Sequence, residues 1–224
     1  MSQFRIVSLV KSKILRHSVQ QIFSTMYRRN SWGNKGSVSG HGSDLIQTAT
    51  IRREIANLSA TLGIKTMLDA PCGDYYWMKE VPMDLTSYVG ADIVAEMIES
   101  NQRQYGSSKV GFRVLDIMKD DLPRVDLILC RDCLVHLPLQ AAASALRNFV
   151  RSGSKYLLTT TYPGALKRNE QLLITGNWRP LDLQLPPFSL PEPVRVINEE
   201  CTQKDDYREK SLGLWALEQL QIPS

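Results

Sequence analysis

Short apolar runs that alternate with helical stretches from residue 64 onward are the feature that most limits how this chain can fold. The runs occupy 65–70, 87–93, 110–117, 125–132 and 155–162. The segments 94–104 and 139–153 instead have apolar residues at helical spacing. Buried strands that alternate with helices are typical of a parallel sheet covered on both faces. The pattern predicts a doubly wound, Rossmann-like α/β domain.

Two further apolar runs, 193–201 and 211–220, close the sequence and are joined by a short polar segment. Because so short a connection cannot cross over a sheet, these runs should form an antiparallel pair. Together with the five earlier strands, they predict a seven-stranded, mostly parallel sheet with a reversed edge strand.

The N-terminal part of the chain differs in charge and in pattern. Residues 1–43 contain seven Lys or Arg and no acid, whereas the remainder has 20 basic and 23 acidic residues. Apolar spacing predicts a helix over 4–28, in one or two pieces, and 30–43 is a loop rich in Gly and Ser. We therefore expect two units, a basic helix and loop at 1–43 and the main domain at 44–224. A helix capped at Ser43 or Asp44 and ending at Gly63 should open the main domain.

The net charge of +4 comes from this N-terminal segment, so the body of the protein is not a general polyanion binder. This argues against nucleic acid as a partner and favours a small-molecule substrate. Four cysteines are too few for a disulfide scaffold and fit a reducing, cytoplasmic setting. A basic, acid-free start is also typical of a membrane-surface helix, here residues 1–19, or of a mitochondrial transit peptide. A solvated basic helix is the alternative.

Polar side chains stand at the ends of the predicted parallel strands. These residues are Asp69, Asp92, Asp116, Arg131 and Asp132. Ligands of doubly wound sheets bind beyond these carboxyl ends. Asp92 lies about 20 residues after the Gly73 turn, the offset at which an acid accepts both hydroxyls of a ribose. Asp116 should lie at the edge of an adenine ring.

The turn at 70–74 lies between two acids, Asp69 and Asp74. A pyrophosphate binds backbone N–H groups at a helix N-terminus, where a nearby carboxylate would repel it. The turn therefore favours a group with positive charge, such as an amine or a sulfonium, over a dinucleotide.

At these positions the sequence resembles the class I S-adenosylmethionine-dependent methyltransferases, over residues 64–162. LDAPCGD resembles the acid and glycine-rich loop of the family, YVGADIV its second motif, VLDI its adenine-side motif and VDLILCRDCLVHL its fourth-strand motif. SVSGHGSDLIQT and NWRPLDLQLPPF are similar to segments of uncharacterised bacterial members. Pro71 and Tyr75 replace loop glycines, so the helix expected after the loop must lie less close to the cofactor.

The resemblance implies S-adenosylmethionine as the cofactor and methyl transfer as the activity. The fourth strand ends in CRDC, without the Pro-Pro-aromatic motif of many nucleic-acid amino-group methyltransferases, and the body is not basic, so we expect the acceptor to be a small molecule, or a sugar or lipid intermediate. The implied cofactor contacts are Asp69, Ala70, Pro71, Cys72, Gly73, Asp74, Asp92, Ile93, Asp116, Ile117 and Arg131. The alternative function is a non-catalytic protein of the same fold that binds a cofactor or a partner.

Two residues after the fourth strand are candidate catalytic groups. His136 is either a general base or a side chain that packs beside the cofactor. Asp132 is either a base for the acceptor or the N-cap of the next helix.

Cys130 and Cys133 form a C-x-x-C pair, which is either a redox or zinc pair or two packed side chains. No second pair exists and only Cys72, Cys201 and His136 could complete a zinc site, so we expect no metal.

Two aromatic segments are candidates for covering the site. The 30–43 loop, with Trp32 and Ser39, is predicted to be a lid, and a flexible linker is the alternative. Tyr162 ends the fifth predicted strand, and Trp178 and Arg179 follow it. All three should face the substrate, unless the segment after the strand only packs on the sheet edge.

Overall fold

The computed structural model describes residues 18–33, 36–202 and 207–223. Most of the helix predicted over 4–28, and nearly all of the segment 1–19 with its expected membrane contact, lie outside the described residues. In the described part of the chain, no helix is long and apolar enough to cross a membrane.

A seven-stranded sheet forms the centre of the molecule, in the order β3-β2-β1-β4-β5-β7-β6. Its strands are β1 (Thr66–Asp69), β2 (Ser87–Asp92), β3 (Val110–Val114), β4 (Leu127–Cys130), β5 (Tyr156–Thr161), β6 (Arg195–Asn198) and β7 (Ser211–Ala216). Strands β1 to β5 pair in parallel, whereas β7 runs antiparallel to both β5 and β6. The predicted fold class is confirmed, and the reversed strand lies one position inside the edge.

Four helices are described: α1 (Val19–Arg28), α2 (Ala49–Leu62), α3 (Ala95–Tyr105) and α4 (Leu139–Arg151). A capping box begins α1, where the Ser18 hydroxyl accepts from the Gln21 amide and the Gln21 side chain accepts from the Ser18 amide.

Gly63, with φ of 63°, ends α2 in the left-handed conformation, as expected. Neither Ser43 nor Asp44 caps α2, because the helix begins only after Thr48. The Asp44 carboxylate instead accepts from the amides of the turn that precedes the helix.

The core lies on both faces of the sheet. Leu68 of β1 and Ile128 of β4 pack on the face that also buries α4, whereas Met67 and Leu129 pack on the face that buries α2. Successive strand residues point to opposite faces, so strands without polar positions are covered on both sides. This burial fixes the β1 and β4 ends that position the candidate site.

The connection from β1 to β2 contains no α-helix, contrary to the expectation that a helix follows the loop. One 3-10 turn, Met78–Glu80, stands there instead. Tyr75 adopts a φ of 59°, and its ring packs 5.0 Å from Tyr88 and 5.2 Å from Phe112, centroid to centroid. The tyrosine thus covers the part of the sheet that a helix would otherwise cover.

Candidate active site

A cavity of about 560 Å³ lies beyond the carboxyl ends of β1 to β4, a size that holds a drug-sized ligand. Of the residues predicted from the sequence, those that line it are Trp32, Ser39, Asp69, Pro71, Cys72, Gly73, Asp92, Ile93, Asp116, Ile117, Arg131, Asp132, His136 and Trp178. Ala70, Asp74, Tyr162 and Arg179 are not among its lining residues. The structure therefore brings most of the candidate residues together.

Asp92 and Asp116 mark one end of the cavity. Asp92 is the last residue of β2, and its Oδ1 accepts from the Val94 amide at 3.0 Å. Asp116 lies two residues beyond β3, where its Oδ1 accepts from the Met118 amide at 3.0 Å. Burial raises the pKa of Asp92 to about 6, although nearby backbone amides oppose the shift. Both carboxylates are thus held in fixed orientations at the rim.

Asp69 lies deeper, at the end of β1, and is 3% exposed. The Tyr88 hydroxyl donates to its Oδ2 at 2.6 Å. Burial raises the pKa of Asp69 to about 7, against the hydrogen bond from Tyr88, and repulsion from Asp92 adds to the increase. A cation placed beside Asp69 would reverse this shift, because it favours the ionised form.

Gly73 has a φ of 54°, and the space beside its Cα is filled by the N-terminal segment. A Cβ at this position would clash with Ser39 Oγ. The next residue, Asp74, accepts from the Ser37 hydroxyl at 3.0 Å, from the Val38 amide at 2.9 Å and from the Ser39 hydroxyl at 3.2 Å. The missing side chain of Gly73 therefore lets residues 37–39 dock onto the β1 loop.

Helix α1 and Trp32 cover the cavity from the N-terminal side. Gln20 donates to the Ile93 carbonyl at 3.2 Å, and Arg28 bonds to Glu96 at 2.5 Å. The Trp32 ring stacks on Phe23 and meets His136 edge-on, each at 6.3 Å between centroids. The 36–43 segment is further held by Arg131, which donates to the Gly42 carbonyl at 2.8 Å. These contacts hold the segment closed over the strand ends.

Four charged side chains form a cluster at the cavity wall, where three of them, Arg131, Asp132 and Lys210, line the cavity and Glu199 lies buried behind them. Arg131 donates to the fully buried Glu199, with a shortest contact of 2.6 Å. Lys210 contacts Asp132 Oδ2 at 2.5 Å and Glu199 Oε2 at 3.3 Å. Burial would raise the pKa of Asp132, but attraction by Lys210 and Arg131 outweighs it and lowers the pKa to about 2. Asp132 is therefore ionised at neutral pH and a weak base.

His136 can accept a proton at neutral pH more readily than Asp132. Its Nδ1 lies 3.0 Å from the Asn177 carbonyl oxygen, and because a carbonyl only accepts, Nδ1 carries the hydrogen and Nε2 keeps a lone pair. Burial lowers the pKa of His136 from the ordinary 6.5, against the attraction of Asp132. The ring is therefore a neutral imidazole at neutral pH and lines the cavity.

Comparison with known proteins agrees with this geometry. Residues 67–153 match a family model for a methyltransferase domain. This segment is similar to a methyltransferase domain. The predicted resemblance is thereby confirmed, and the match includes β1 to β4 with their rim residues. A comparison with curated protein sequences finds no significant match.

Solved structures show the fold of the methyltransferase domain at low sequence identity. The N-methyltransferase NodS from Bradyrhizobium japonicum WM9, in complex with S-adenosylhomocysteine, is 15% identical with a TM-score of 0.61, over 89% of this chain and 99% of that one. Human N-acetylserotonin methyltransferase, in complex with S-adenosylmethionine, is 14% identical with a TM-score of 0.58, over 89% and 60% of the two chains. Magnesium protoporphyrin IX methyltransferase from Synechocystis PCC 6803, also with S-adenosylmethionine, is 14% identical with a TM-score of 0.54, over 88% and 96%.

Arg179, expected to face a substrate, instead holds the chain that follows β4. Its guanidinium donates to the carbonyls of Leu134, Leu137 and Glu170 at 3.1, 2.6 and 2.8 Å. Burial lowers its pKa to about 10. The arginine thus satisfies backbone oxygens of the segment that carries His136, and it is a positioning residue in this structure.

The four cysteines are all free. Cys130 is fully buried at the end of β4, and Cys133 is half-buried at the cavity wall. Within the described residues, no group of three or more His, Cys, Asp or Glu could hold a metal ion.

Sequence reasoning missed Lys210, which lines the cavity, and the buried Glu199 with which it pairs. Glu199 and Lys210 face each other across the β6–β7 hairpin, where the Glu199 amide donates to the Lys210 carbonyl at 2.9 Å. Because Asn198 pairs with Ser211, the register of the hairpin brings the two residues to the same rim. Extending that register by one residue from the sequence would have found them.

Proposed function

We propose that the chain transfers a methyl group from S-adenosylmethionine to a small molecule. The observation that carries this proposal is the placement of Asp92 and Asp116 at one end of a cavity whose other end contains a neutral histidine. Supporting it, the structures of similar fold named above hold S-adenosylmethionine or S-adenosylhomocysteine.

The residues present fit this cofactor. The Asp92 carboxylate would accept the two ribose hydroxyls, and the apolar side chains of Ile93, Met97 and Ile117 would enclose the adenine ring, beside Asp116. Asp69 is a buried carboxylate with a raised pKa, which suits the amino group of the methionine end. Such a carboxylate gains from a nearby cation more than an exposed one would, because burial penalises an isolated charge.

When bound, the cofactor supplies a methyl group on a positively charged sulfur, which is reactive without further activation. The chain would position the two reactants, exclude water from the site and provide one proton acceptor. Trp32 and the 36–43 segment exclude water, and His136 Nε2 accepts the proton of the acceptor. Asp132 stabilises the protonated imidazole, since its negative charge raises the pKa of His136.

The acceptor would be a small molecule, or a sugar or lipid intermediate. Incubation of the purified protein with S-adenosylmethionine labelled in the methyl group and a cell extract, followed by mass spectrometry, should reveal a labelled product. A protein that binds the cofactor but labels nothing from extracts of several sources would favour the non-catalytic alternative.

Replacing Asp92 with Ala should weaken S-adenosylhomocysteine binding by about 1–3 kcal/mol, since the ribose hydroxyls lose their acceptor. Isothermal calorimetry measures the effect. Asp84→Ala is the matched control, because Asp84 is exposed and pairs with Lys65 near the N-terminal end of β1. Equal affinity in the Asp92→Ala and Asp84→Ala proteins would refute the assignment of the ribose site.

The cover over the cavity should respond to the ligand. We expect amide hydrogen exchange in 36–43 to slow when S-adenosylhomocysteine binds, because the ligand adds contacts to a segment already held by Asp74 and Arg131. Exchange that is equally fast with and without ligand would show that the segment is not a lid.

Trp32→Ala should lower turnover more than it lowers the unfolding temperature, since the indole is only partly buried.

A further inference from the structure

We propose that the cavity beyond His136 is a subsite for an uncharged, polyhydroxylated acceptor such as a glycoside. The inference rests on the proposed methyl transfer and narrows its acceptor class. It comes from three features of the wall formed by β4, the segment after β5 and the β6–β7 hairpin: its balance of charge, its aromatic faces and one buried hydroxyl.

The charges of this wall cancel. Two cations, Arg131 and Lys210, face two carboxylates, Asp132 and Glu199, within 3.4 Å of one another. A charged acceptor would therefore find its counter-charge already paired, and would lose hydration without gaining an ion pair. A neutral acceptor loses little hydration and still meets polar groups.

The cluster can still form hydrogen bonds with a neutral ligand. The contacts of Lys210 and Arg131 with Asp132 are both made to Oδ2. No described residue donates to Oδ1, on a side chain that is 28% exposed. Asp132 Oδ1 can therefore accept from one hydroxyl of a ligand, while the Lys210 ammonium, with three hydrogens, can donate to an adjacent one. Two adjacent hydroxyls on one sugar ring would match this acceptor and donor.

Aromatic rings flank the polar pair. Trp178 and Tyr207 line the cavity and pack edge to face with centroids 5.0 Å apart. Trp178 also meets Tyr162 at 6.1 Å. A half-buried indole gives an apolar surface against which the C–H face of a sugar ring can lie, while its hydroxyls point to the charged cluster.

The Tyr162 hydroxyl is an unpartnered polar group next to the aromatic pair. It is buried and has no hydrogen-bond partner among the described residues. Burial raises the pKa of Tyr162 well above its usual range, and the Asp132 and Glu199 carboxylates add to this. Tyr162 does not itself line the cavity, but its ring contacts that of Trp178, so a ligand that shifts the indole would give the hydroxyl its missing partner.

Three probes of one shape test the charge preference. Methyl glucoside, methyl glucosaminide and methyl glucuronide are neutral, cationic and anionic, and each is titrated by NMR into the full chain saturated with S-adenosylhomocysteine. We expect the neutral probe to bind about tenfold more tightly than either charged one, because the wall offers no free counter-charge. A charged probe that binds as tightly as the neutral one, or a neutral probe that does not bind, would overturn the proposal. Failure of S-adenosylhomocysteine itself to bind would instead refute the proposed function.

Two variants extend the test. Lys210→Met leaves a negative excess and should shift the preference toward methyl glucosaminide by about tenfold. Tyr162→Phe should unfold at the same temperature as the unaltered protein or higher, since it removes an unpaired hydroxyl, and should bind methyl glucoside about three- to tenfold more weakly.

Tyr156→Phe, at the opposite end of β5, is the control for Tyr162→Phe and should bind methyl glucoside normally. A Tyr162→Phe protein that loses stability and binds methyl glucoside as before would show that the hydroxyl is structural and would contradict the subsite.

Discussion

Replacement of His136 with Gln is expected to lower turnover by about 10²–10⁴-fold while leaving the affinity for S-adenosylhomocysteine unchanged. Gln can keep a polar contact with the Asn177 carbonyl but has no nitrogen that accepts a proton. Because burial lowers the pKa of His136 below 6.5, turnover of the unaltered protein should rise as the pH increases through this lower value and be level at neutral pH. The measurements are rates with the acceptor found by methyl labelling, and the NMR titration of the His136 ring.

Asp132→Asn separates the two candidate bases. The Asp132 carboxylate raises the pKa of His136, so its removal should move the acidic limb of the rate profile to lower pH without abolishing turnover. If Asp132 were the base, Asp132→Asn would abolish turnover and His136→Gln would not. That outcome would reverse the roles proposed here.

Replacement of Asp69 with Asn is expected to stabilise the free protein at pH 8 by roughly 2–4 kcal/mol. Burial raises the pKa of Asp69 from 3.8 to about 7, so the folded state binds the proton more tightly than the unfolded state. Stability of the unaltered protein therefore falls as the pH rises from about 4 to about 7, and Asp69→Asn removes this loss because its amide never ionises. At pH 4 the two proteins should be about equally stable.

The same substitution should weaken the binding of amine-bearing ligands such as S-adenosylhomocysteine at pH 8. In the unaltered protein this affinity should rise between pH 6 and pH 8, as Asp69 ionises. Urea unfolding at several pH values and calorimetry provide the measurements.

Asp126→Asn is the control for Asp69→Asn. Asp126 pairs with Lys155 at 2.6 Å and accepts from the Lys65 and Thr66 amides. These contacts outweigh burial and lower its pKa, so this variant should lose stability at neutral pH. An Asp69→Asn protein that is destabilised to the same extent at pH 8 would contradict the account of Asp69.

The sheet and its rim were predictable because they depend on patterns within short segments. Runs such as 65–70 and 87–93 are apolar on both faces and end in Asp69 and Asp92, so burial and the position of the acids are both visible in the sequence. The end of β2 at Asp92 and the left-handed conformation of Gly63 at the end of α2 both occur at the residues that the local sequence predicts.

The rest depended on contacts between distant parts of the chain. Ser39 fills the space beside Gly73, and Asp74 holds residues 37–39, but no local pattern links positions about 35 residues apart. The absence of a helix after β1 could not be predicted for the same reason, since it depends on the packing of Tyr75 against Tyr88 and Phe112 of neighbouring strands. Arg179 resembled a ligand contact because an arginine among aromatics and prolines looks the same whether it binds a substrate or its own backbone.

The segment that matches the methyltransferase family, 67–153, carries the rim acids, yet much of the cavity wall comes from outside it. Trp32 and the 36–43 segment precede it, whereas Trp178 and Lys210 follow it. On the proposed function, cofactor use and acceptor choice are therefore encoded in separable stretches of sequence. Variation at the two ends of such a chain could change what is methylated while the contacts to the methyl donor stay the same. A chimera that exchanges only the ends would preserve the chemistry and alter its target.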